Sequence, residues 1–395
     1  MTRKLVFIES ASAMGGVEFS TLYLASHLDP ALWAVTVVCP SDGDLASACR
    51  AAGVAVVVVP LPGLFSTSFR LGKRDTRLPN PFAWLWNGSA VLVAAARLRR
   101  SLLQAAPAVV ITKGIYAHLC GGLAARRAGI RCIWHLQDFI SERFWGVQRI
   151  LMGWLSRLFP DAIVVDGTPI ARQLPLIVQA RTSVLLNGVD TRVFTPAVDG
   201  QLVRTQLGIG LQQVVIGHAA RITPWKGQHH LLEAFGMLAP RFPQLRLLLV
   251  GSAMFDNDAY EQRLRARVEE LGLSSRVIFA GFRRDLPQVL AAVDIFAYPS
   301  VEKDTSPLAL LSAMSSGLPV VAFDIEGVRE VVLDDGLLVP VGDAGKLASA
   351  LGQLLVDVES RRQLALRSRA AALARFSLER YVAGMQAVLA SGRDH

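Results

Sequence analysis

Short apolar, β-branched runs alternate with stretches of helical spacing along almost the whole chain. In the first half the runs are LVFI, VTVVC, VAVVVV, AVVIT, RCIWHL, AIVVD and SVLLN; in the second they are QVVIGHAA, RLLLVG, RVIFAG, IFAYPS, PVVAF and GLLVP. Between them, segments such as STLYLASHL and KLASALGQLLVDV carry apolar residues at helical intervals. Uninterrupted apolar strands separated by helices predict parallel sheets covered on both faces. The order predicts an α/β protein of two doubly wound domains in series, divided near NGVDTRVFTP, where Asn187-Gly188 signals a turn and Pro196 follows.

One unit of this pattern is unusual. In KDTSPLALLSAMSSGLPVV (Lys303–Val321) Ser306 is a good N-cap, and Pro307 fits the first helical position, where its missing N–H costs nothing. Gly317 ends the helix and LPVV begins a buried strand. The helix is apolar almost all round, so both its faces should be covered. Asp304 before it and Ser312 inside it are then polar residues that need a reason.

Composition narrows the function classes. A chain of 395 residues, 52% hydrophobic, is long enough for two cores. Lys+Arg 41 against Asp+Glu 32 gives a net charge of +9, which favours anionic partners; nucleic acid, acidic lipid and phosphorylated metabolites all stay open on charge alone. No nucleic-acid motif accompanies the charge, so that class ranks last. Cys39, Cys49, Cys120 and Cys132 are widely spaced with no His cluster nearby, a pattern of reduced thiols in a cytoplasmic protein, not of a disulfide framework or zinc site. MTRKLVFIES reads as a first strand, not a signal peptide. Two uncharged stretches, 78–96 and 305–323, have the length of a membrane span, but prolines and asparagines break the first and the loop–helix–strand unit is the second.

In open α/β sheets ligands bind beyond the carboxyl ends of the strands, so polar residues placed there are the candidates. After the first strand, Gly15-Gly16 allows close backbone approach at a helix N-terminus; it lacks the full dinucleotide spacing and also suits a plain tight turn. After the first strand of the second half, Arg221 and Lys226 lie in a loop leading through Gly227 into a helix. A guanidinium fork and an ammonium there can clamp a diphosphate, where two solvated surface charges would be the structural alternative. In CIWHLQDFI, His135 and Gln137 share one side of a strand; such a histidine is a sugar-binding group or a satisfied core residue with equal weight. Phe69–Trp86 and Arg143–Phe159 combine tryptophan, arginine and aliphatic residues, which suits an interfacial surface as well as ordinary helices.

These pieces resemble the family 4 retaining glycosyltransferases of GT-B fold, over nearly the whole chain. The resemblance rests on GGVEFSTLYLASHL, DAIVVDGTPIARQL, VLLNGVDTRVFTP, AARITPWKGQHHLLEAF, LLLVGSA, VIFAGFRRDLPQVLAAVDIFAYPS, DTSPLALLSAMSSGLPVVAFDIEGVREVV and GLLVPVGDAGKLASAL. It implies two Rossmann-like domains facing across a cleft, residues 1–192 on the acceptor side and 193–372 binding a nucleotide-sugar donor. The segment 373–395 is then a helix returning to the first domain. It implies that Arg221 and Lys226 hold the diphosphate, that Gly15 and Gly16 lie near the phosphates, and that His135 or Gln137 stands near the sugar. Relatives carry two glutamates eight positions apart, matched here by Asp304, facing hexose hydroxyls, and Ser312, facing the ribose. Between them Thr305, Ser306, Leu308 and Ala309 lie where the opening helix meets the diphosphate.

The chain departs from the pattern at three places: Asp304 is a methylene shorter, Ser312 lacks a carboxylate, and Pro307 replaces a frequent glycine and removes one amide donor. The resemblance implies chemistry with no protein nucleophile, no metal and no other cofactor. The expected activity is sugar transfer from a nucleotide-sugar to a glycan or lipid-linked acceptor in surface polysaccharide or glycolipid synthesis. The expected location is cytoplasmic, with peripheral contact at an anionic inner membrane face. A non-catalytic sugar-nucleotide or glycan-binding relative and a sugar-nucleotide epimerase of the same fold are the alternatives.

Overall fold

The computed structural model describes residues 2–71, 76–140, 147–253, 257–302 and 304–391. Lys303, residues 72–75 of the Phe69–Trp86 segment and residues 143–146 of the Arg143–Phe159 segment lie outside the described residues. The chain divides into two compact units, Met1–Leu185 with Val382–His395, and Leu186–Tyr381. The Asn187-Gly188 turn and the run to Pro196 therefore belong to the second unit.

The strands of the first unit are β1 (Arg3–Glu9), β2 (Trp33–Cys39), β3 (Ala55–Val58), β4 (Ser68–Leu71), β5 (Thr76–Pro79), β6 (Val109–Lys113), β7 (Arg131–Leu136), β8 (Ala162–Val165) and β9 (Thr182–Val184). Seven form one parallel sheet in the order β3-β2-β1-β6-β7-β8-β9. These are the seven apolar runs of the first half. The exception is the antiparallel β4–β5 hairpin, which lies within the segment read from sequence as an interfacial surface. The second unit holds β10 (Val214–Ala219), β11 (Leu245–Val250), β12 (Val277–Phe279), β13 (Ile295–Tyr298), β14 (Val320–Phe323) and β15 (Leu337–Val339), in the order β12-β11-β10-β13-β14-β15.

Both sheets are doubly wound, because successive strands first add on one side and then on the other. The order reverses between β1 and β6 in the first unit and between β10 and β13 in the second. Such a reversal leaves a crevice at the carboxyl ends of the two central strands, since the helices that follow them leave on opposite faces.

The apolar runs produce this architecture through the two-residue period of a strand. Along β13, Ile295 and Ala297 join one core layer while Phe296 and Tyr298 join the other; along β14, Val321 and Phe323 oppose Val320 and Ala322 in the same way. Both faces of these two strands are buried, so they read as continuous apolar stretches.

The helix of the Lys303–Val321 unit spans Leu308–Ser315, is buried from Leu310 to Ser315, and is stopped by Gly317 at φ 73°. Its start corrects the sequence reading: Pro307 is the N-cap and Leu308 the first helical residue. Ser306 does not cap. It sits at φ 42°, and its hydroxyl accepts the Asn187 N–H at 2.7 Å while its carbonyl accepts from Asn187 Nδ2 at 3.0 Å. A left-handed backbone costs a non-glycine residue about 1–2 kcal/mol, which these two buried bonds offset. Among the described residues no helix is long and apolar enough to cross a membrane.

Candidate functional site

The second unit's switch point collects most of the predicted residues. Past β10 the chain passes Arg221, makes a 3-10 turn at Pro224–Lys226, and enters the helix Gln228–Leu238 through Gly227. Gly227 has φ 71°, and a Cβ built on it would lie 1.9 Å from the Pro299 carbonyl oxygen. Glycine is therefore required twice here, for its dihedral and for the contact, and it presses the Lys226 loop onto the chain leaving β13.

That contact seats Lys226 beside Tyr298 and Asp304. Its Nζ donates to the Tyr298 hydroxyl at 2.8 Å and to Asp304 Oδ2, and it lies 4.2 Å from the Trp225 ring centroid. Asp304 Oδ2 also accepts from the Tyr298 hydroxyl at 2.5 Å and the Ser300 hydroxyl at 3.2 Å. The Lys226 side chain is 10% exposed and that of Asp304 13%. Burial pulls the lysine below its ordinary pKa, and Asp304 opposes that fall. Burial, followed by the Asp304 charge, pushes the Tyr298 phenol well above its ordinary pKa, so it stays a donor. The pair sits at the lip of the sheet and not inside it.

Neighbouring groups fix this arrangement. Gly327, in the helix Glu326–Val332, lets that helix lie under the Asp304–Thr305 backbone, since a Cβ there would fall 2.2 Å from the Asp304 carbonyl oxygen. His218 Nδ1 is 3.0 Å from the Ala297 carbonyl oxygen, and Gln228 Nε2 is 3.4 Å from His218 Nε2. Burial pushes His218 down to about 4, so it is neutral; with Nδ1–H donating to Ala297, Nε2 accepts from Gln228. Gln228 Nε2 also donates to the Arg221 carbonyl at 2.8 Å and holds that loop. The Arg221 side chain is exposed, with its guanidinium carbon 5.6 Å from the Trp225 ring centroid.

Asp304 stands just ahead of the Leu308–Ser315 helix. The Leu308 and Ala309 amides lie in the first turn, where a helix offers them no acceptor, and Pro307 supplies no side-chain cap. Both residues are partly exposed, whereas Thr305, Ser306 and Ser312 are buried. The structure thus brings Lys226, Asp304 and the helix opening together, with Arg221 at the rim. The Ser306 hydroxyl is engaged by Asn187.

The first unit's switch point is built differently. The Glu18 carboxylate accepts from the Gly15 amide and from its own, filling the N-terminus of the helix Gly16–His27 in the manner of a capping box. Gly15 packs on that carboxylate, 2.9 Å from where a Cβ would lie, whereas a Cβ at Gly16 would meet nothing within 4 Å. Glu9 and Lys113 end β1 and β6 in register and are 1% and 0% exposed. Lys113 Nζ donates to Ser20 Oγ at 2.6 Å and to the Val17 carbonyl at 3.3 Å, and Thr21 donates to Glu9 Oε1. His135, opposite Lys113 on β7, is wholly buried, and burial holds it neutral, well below its ordinary pKa. Gln137 is partly exposed and bonded to Ser20 at 3.1 Å. Of the two candidates left open on this strand, Gln137 is the one with accessible surface.

Tyr298, His218, Glu9 and Lys113 were not singled out from sequence. One signal was present: Lys4, Lys73, Lys113, Lys226, Lys303 and Lys346 are the only lysines in an arginine-rich chain, and three of them, Lys113, Lys226 and Lys303, end or follow apolar runs.

A family model described as Glycosyltransferase Family 4 matches residues 14–193, and one described as Glycosyl transferases group 1 matches residues 213–357. The chain belongs to glycosyltransferase family 4. Among relatives of this family, it is 36% identical over 195 residues to the D-inositol 3-phosphate glycosyltransferase of Corynebacterium urealyticum, covering 47% of this chain and 46% of that protein. It is 29% identical over 216 residues to the lipopolysaccharide core biosynthesis mannosyltransferase LpsB of Rhizobium meliloti, covering 53% and 60%. The chain thus spans about half the length of these two curated relatives. The crystal structure of Anabaena HepE with UDP matches with a TM-score of 0.81 and 25% identity over 98% of this chain and 100% of that one; HepE has also been solved with UDP and glucose. The fold is GT-B, as the family resemblance implied.

Proposed function

We propose that this family 4 member transfers a sugar from a nucleotide-sugar, with retention of the anomeric configuration, and that its second unit holds the donor. The observation that carries this reading is the Lys226–Tyr298–Asp304 constellation beside the open amides of Leu308 and Ala309. Lys226 and Arg221 are cations for a diphosphate, and the helix N-terminus adds amides and a favourable dipole for the charge that develops on it. Asp304 accepts from hexose hydroxyls and Ser312 faces the ribose. The C1–oxygen bond to the diphosphate breaks with its electron pair going to the phosphate. The acceptor oxygen bonds to C1 on the same face, and its proton passes to the leaving phosphate. The HepE complexes with UDP make uridine the first base to test.

The acceptor carries a glycan or a lipid, and the first unit supports the lipid-linked class. Phe82, Leu85 and Trp86 are 80%, 77% and 51% exposed on the helix Pro81–Ala105 and line an open groove of about 570 Å³ with Phe65. Exposed tryptophan and aliphatic side chains suit an interface with anionic lipid. Sedimentation with vesicles containing phosphatidylglycerol checks this: wild type pellets, and Leu85→Ser with Trp86→Ser stays in solution.

The decisive experiment is a hydrolysis and transfer screen over UDP-, GDP- and ADP-sugars. Consumption of one base class, abolished by Lys226→Ala, supports the reading; a folded protein that consumes none contradicts it. Ser312, without the relatives' carboxylate, favours one second reading, a non-catalytic sugar-nucleotide binder, which would show donor binding with no consumption.

A further inference from the structure

We propose that Tyr298 is a positioning residue that keeps the Asp304 carboxylate in place when the Lys226 ammonium turns to a donor diphosphate; the proposal rests on the donor reading above. Three donors converge on Asp304 Oδ2: Lys226 Nζ, the Tyr298 hydroxyl at 2.5 Å and the Ser300 hydroxyl at 3.2 Å. A diphosphate competes for the ammonium, because a dianionic acceptor with several oxygens is the better partner for a cation. Whatever then orients the carboxylate must be neutral, fixed and already in contact.

Tyr298 meets these conditions and Ser300 meets them less well. The phenol is 1% exposed at the end of β13, stacked against Phe296 at 6.4 Å between ring centroids and tilted against His218 at 6.1 Å. Its ring therefore cannot swing, whereas a serine hydroxyl rotates freely about one bond. The phenol oxygen accepts from Lys226 at 2.8 Å and from the Ser300 hydroxyl, and it donates to Asp304. When Lys226 leaves, the phenol's donor bond to Asp304 remains. The same phenol reaches toward a carboxylate that is a methylene shorter than the relatives' glutamate. A purely structural tyrosine would need one partner for its buried hydroxyl; here the hydroxyl links the two charged groups of the constellation.

The chain's five tyrosines make the contact directly observable. With tyrosine labelled by carbon-13 at Cζ in the full-length protein, the Tyr298 resonance is assigned by its loss in Tyr298→Phe. It is expected to shift in Asp304→Asn, and to shift on saturation with UDP as the ammonium departs. In turnover, Tyr298→Phe is expected to bind UDP within about threefold of wild type, to lose at least tenfold in kcat on the consumed sugar nucleotide, and to add no further loss in the Asp304→Asn background.

A Tyr298 resonance indifferent to both Asp304→Asn and UDP would overturn the proposal. So would a Tyr298→Phe enzyme with wild-type kcat, or one whose loss is as large without the Asp304 carboxylate as with it. If the wild-type protein consumes no donor, the transfer reading fails by itself, and the resonance still decides whether Tyr298 holds Asp304.

Discussion

The two switch points share a topology and a lysine set beside a carboxyl group but not a role. In the first unit the pair is carried by the last residues of the central strands, Glu9 and Lys113, and both are sealed in the protein. In the second it is carried by the loops that follow the strands, so Lys226 and Asp304 each keep about a tenth of their side-chain surface. The ammonium of Lys113 is spent on Ser20 and the Val17 carbonyl, tying down the helix Gly16–His27, whose first amides Glu18 fills. The ammonium of Lys226 is held by Asp304 and Tyr298 beside a helix opening that has no side-chain cap. A charge on a strand end is structural; the same charge a few residues later, on a loop pressed against the neighbouring strand, can change partners.

The largest test of this contrast is on stability. Lys113→Met removes the buried donor to Ser20 and the Val17 carbonyl and takes a bond from both acceptors, which is expected to cost about 2–3 kcal/mol. Lys226→Met should cost less than half of that, because solvent reaches Asp304. Urea unfolding of the two variants checks the order, and equal losses would erase the distinction. Gly227→Ala comes next. A left-handed backbone costs alanine about 1–2 kcal/mol, and the methyl group collides with Pro299. Melting should therefore fall by several degrees, and donor affinity should fall with it as Lys226 is displaced.

The smallest effect is on pH dependence. Burial pushes Glu9 up to about 8 from 4.5, so the folded chain holds a proton there that the unfolded chain has lost. Stability from this group is present at low pH and declines as pH rises toward 8, with a slope on the order of 1 kcal/mol per pH unit. The buried His118, pushed down to about 3, and His218, to about 4, take up protons only on unfolding, so below about pH 7 they make stability rise with pH and oppose Glu9. Lys113, pushed down to about 8 by burial, opposes Glu9 from about pH 8 upward. Glu9→Gln should therefore make the slope of stability against pH more positive than in wild type between about pH 6 and 7.5, and equal slopes in the two proteins would contradict this.

The sheets were legible in the sequence because a strand buried on both faces has to be a continuous apolar run, and each such run became a strand. The β4–β5 hairpin was not, since four-residue strands with Arg70, Arg77 and Pro79 carry no such run. At the candidate site, Arg221, Lys226 and Asp304 were legible from their places after strands and from the family resemblance. Ser306 was misread because its cap geometry lost to Asn187, a partner distant in sequence that no local rule weighs. Tyr298 was hidden because an aromatic at the end of an apolar strand reads as core, and only the fold shows where its hydroxyl points. His135 was half legible: its strand was right, and its burial was decided by the packing around it.

The central claim is that the cation at Lys226 captures a nucleoside diphosphate at the second unit's switch point. Calorimetric titration of the full-length protein with UDP, GDP and ADP, in wild type and in Lys226→Ala, tests it most directly. One of them is expected to bind the wild type and to bind Lys226→Ala at least about 30-fold more weakly, ~2 kcal/mol of a charge-assisted contact. Equal affinity in the two proteins, or binding of none by wild type, would contradict it.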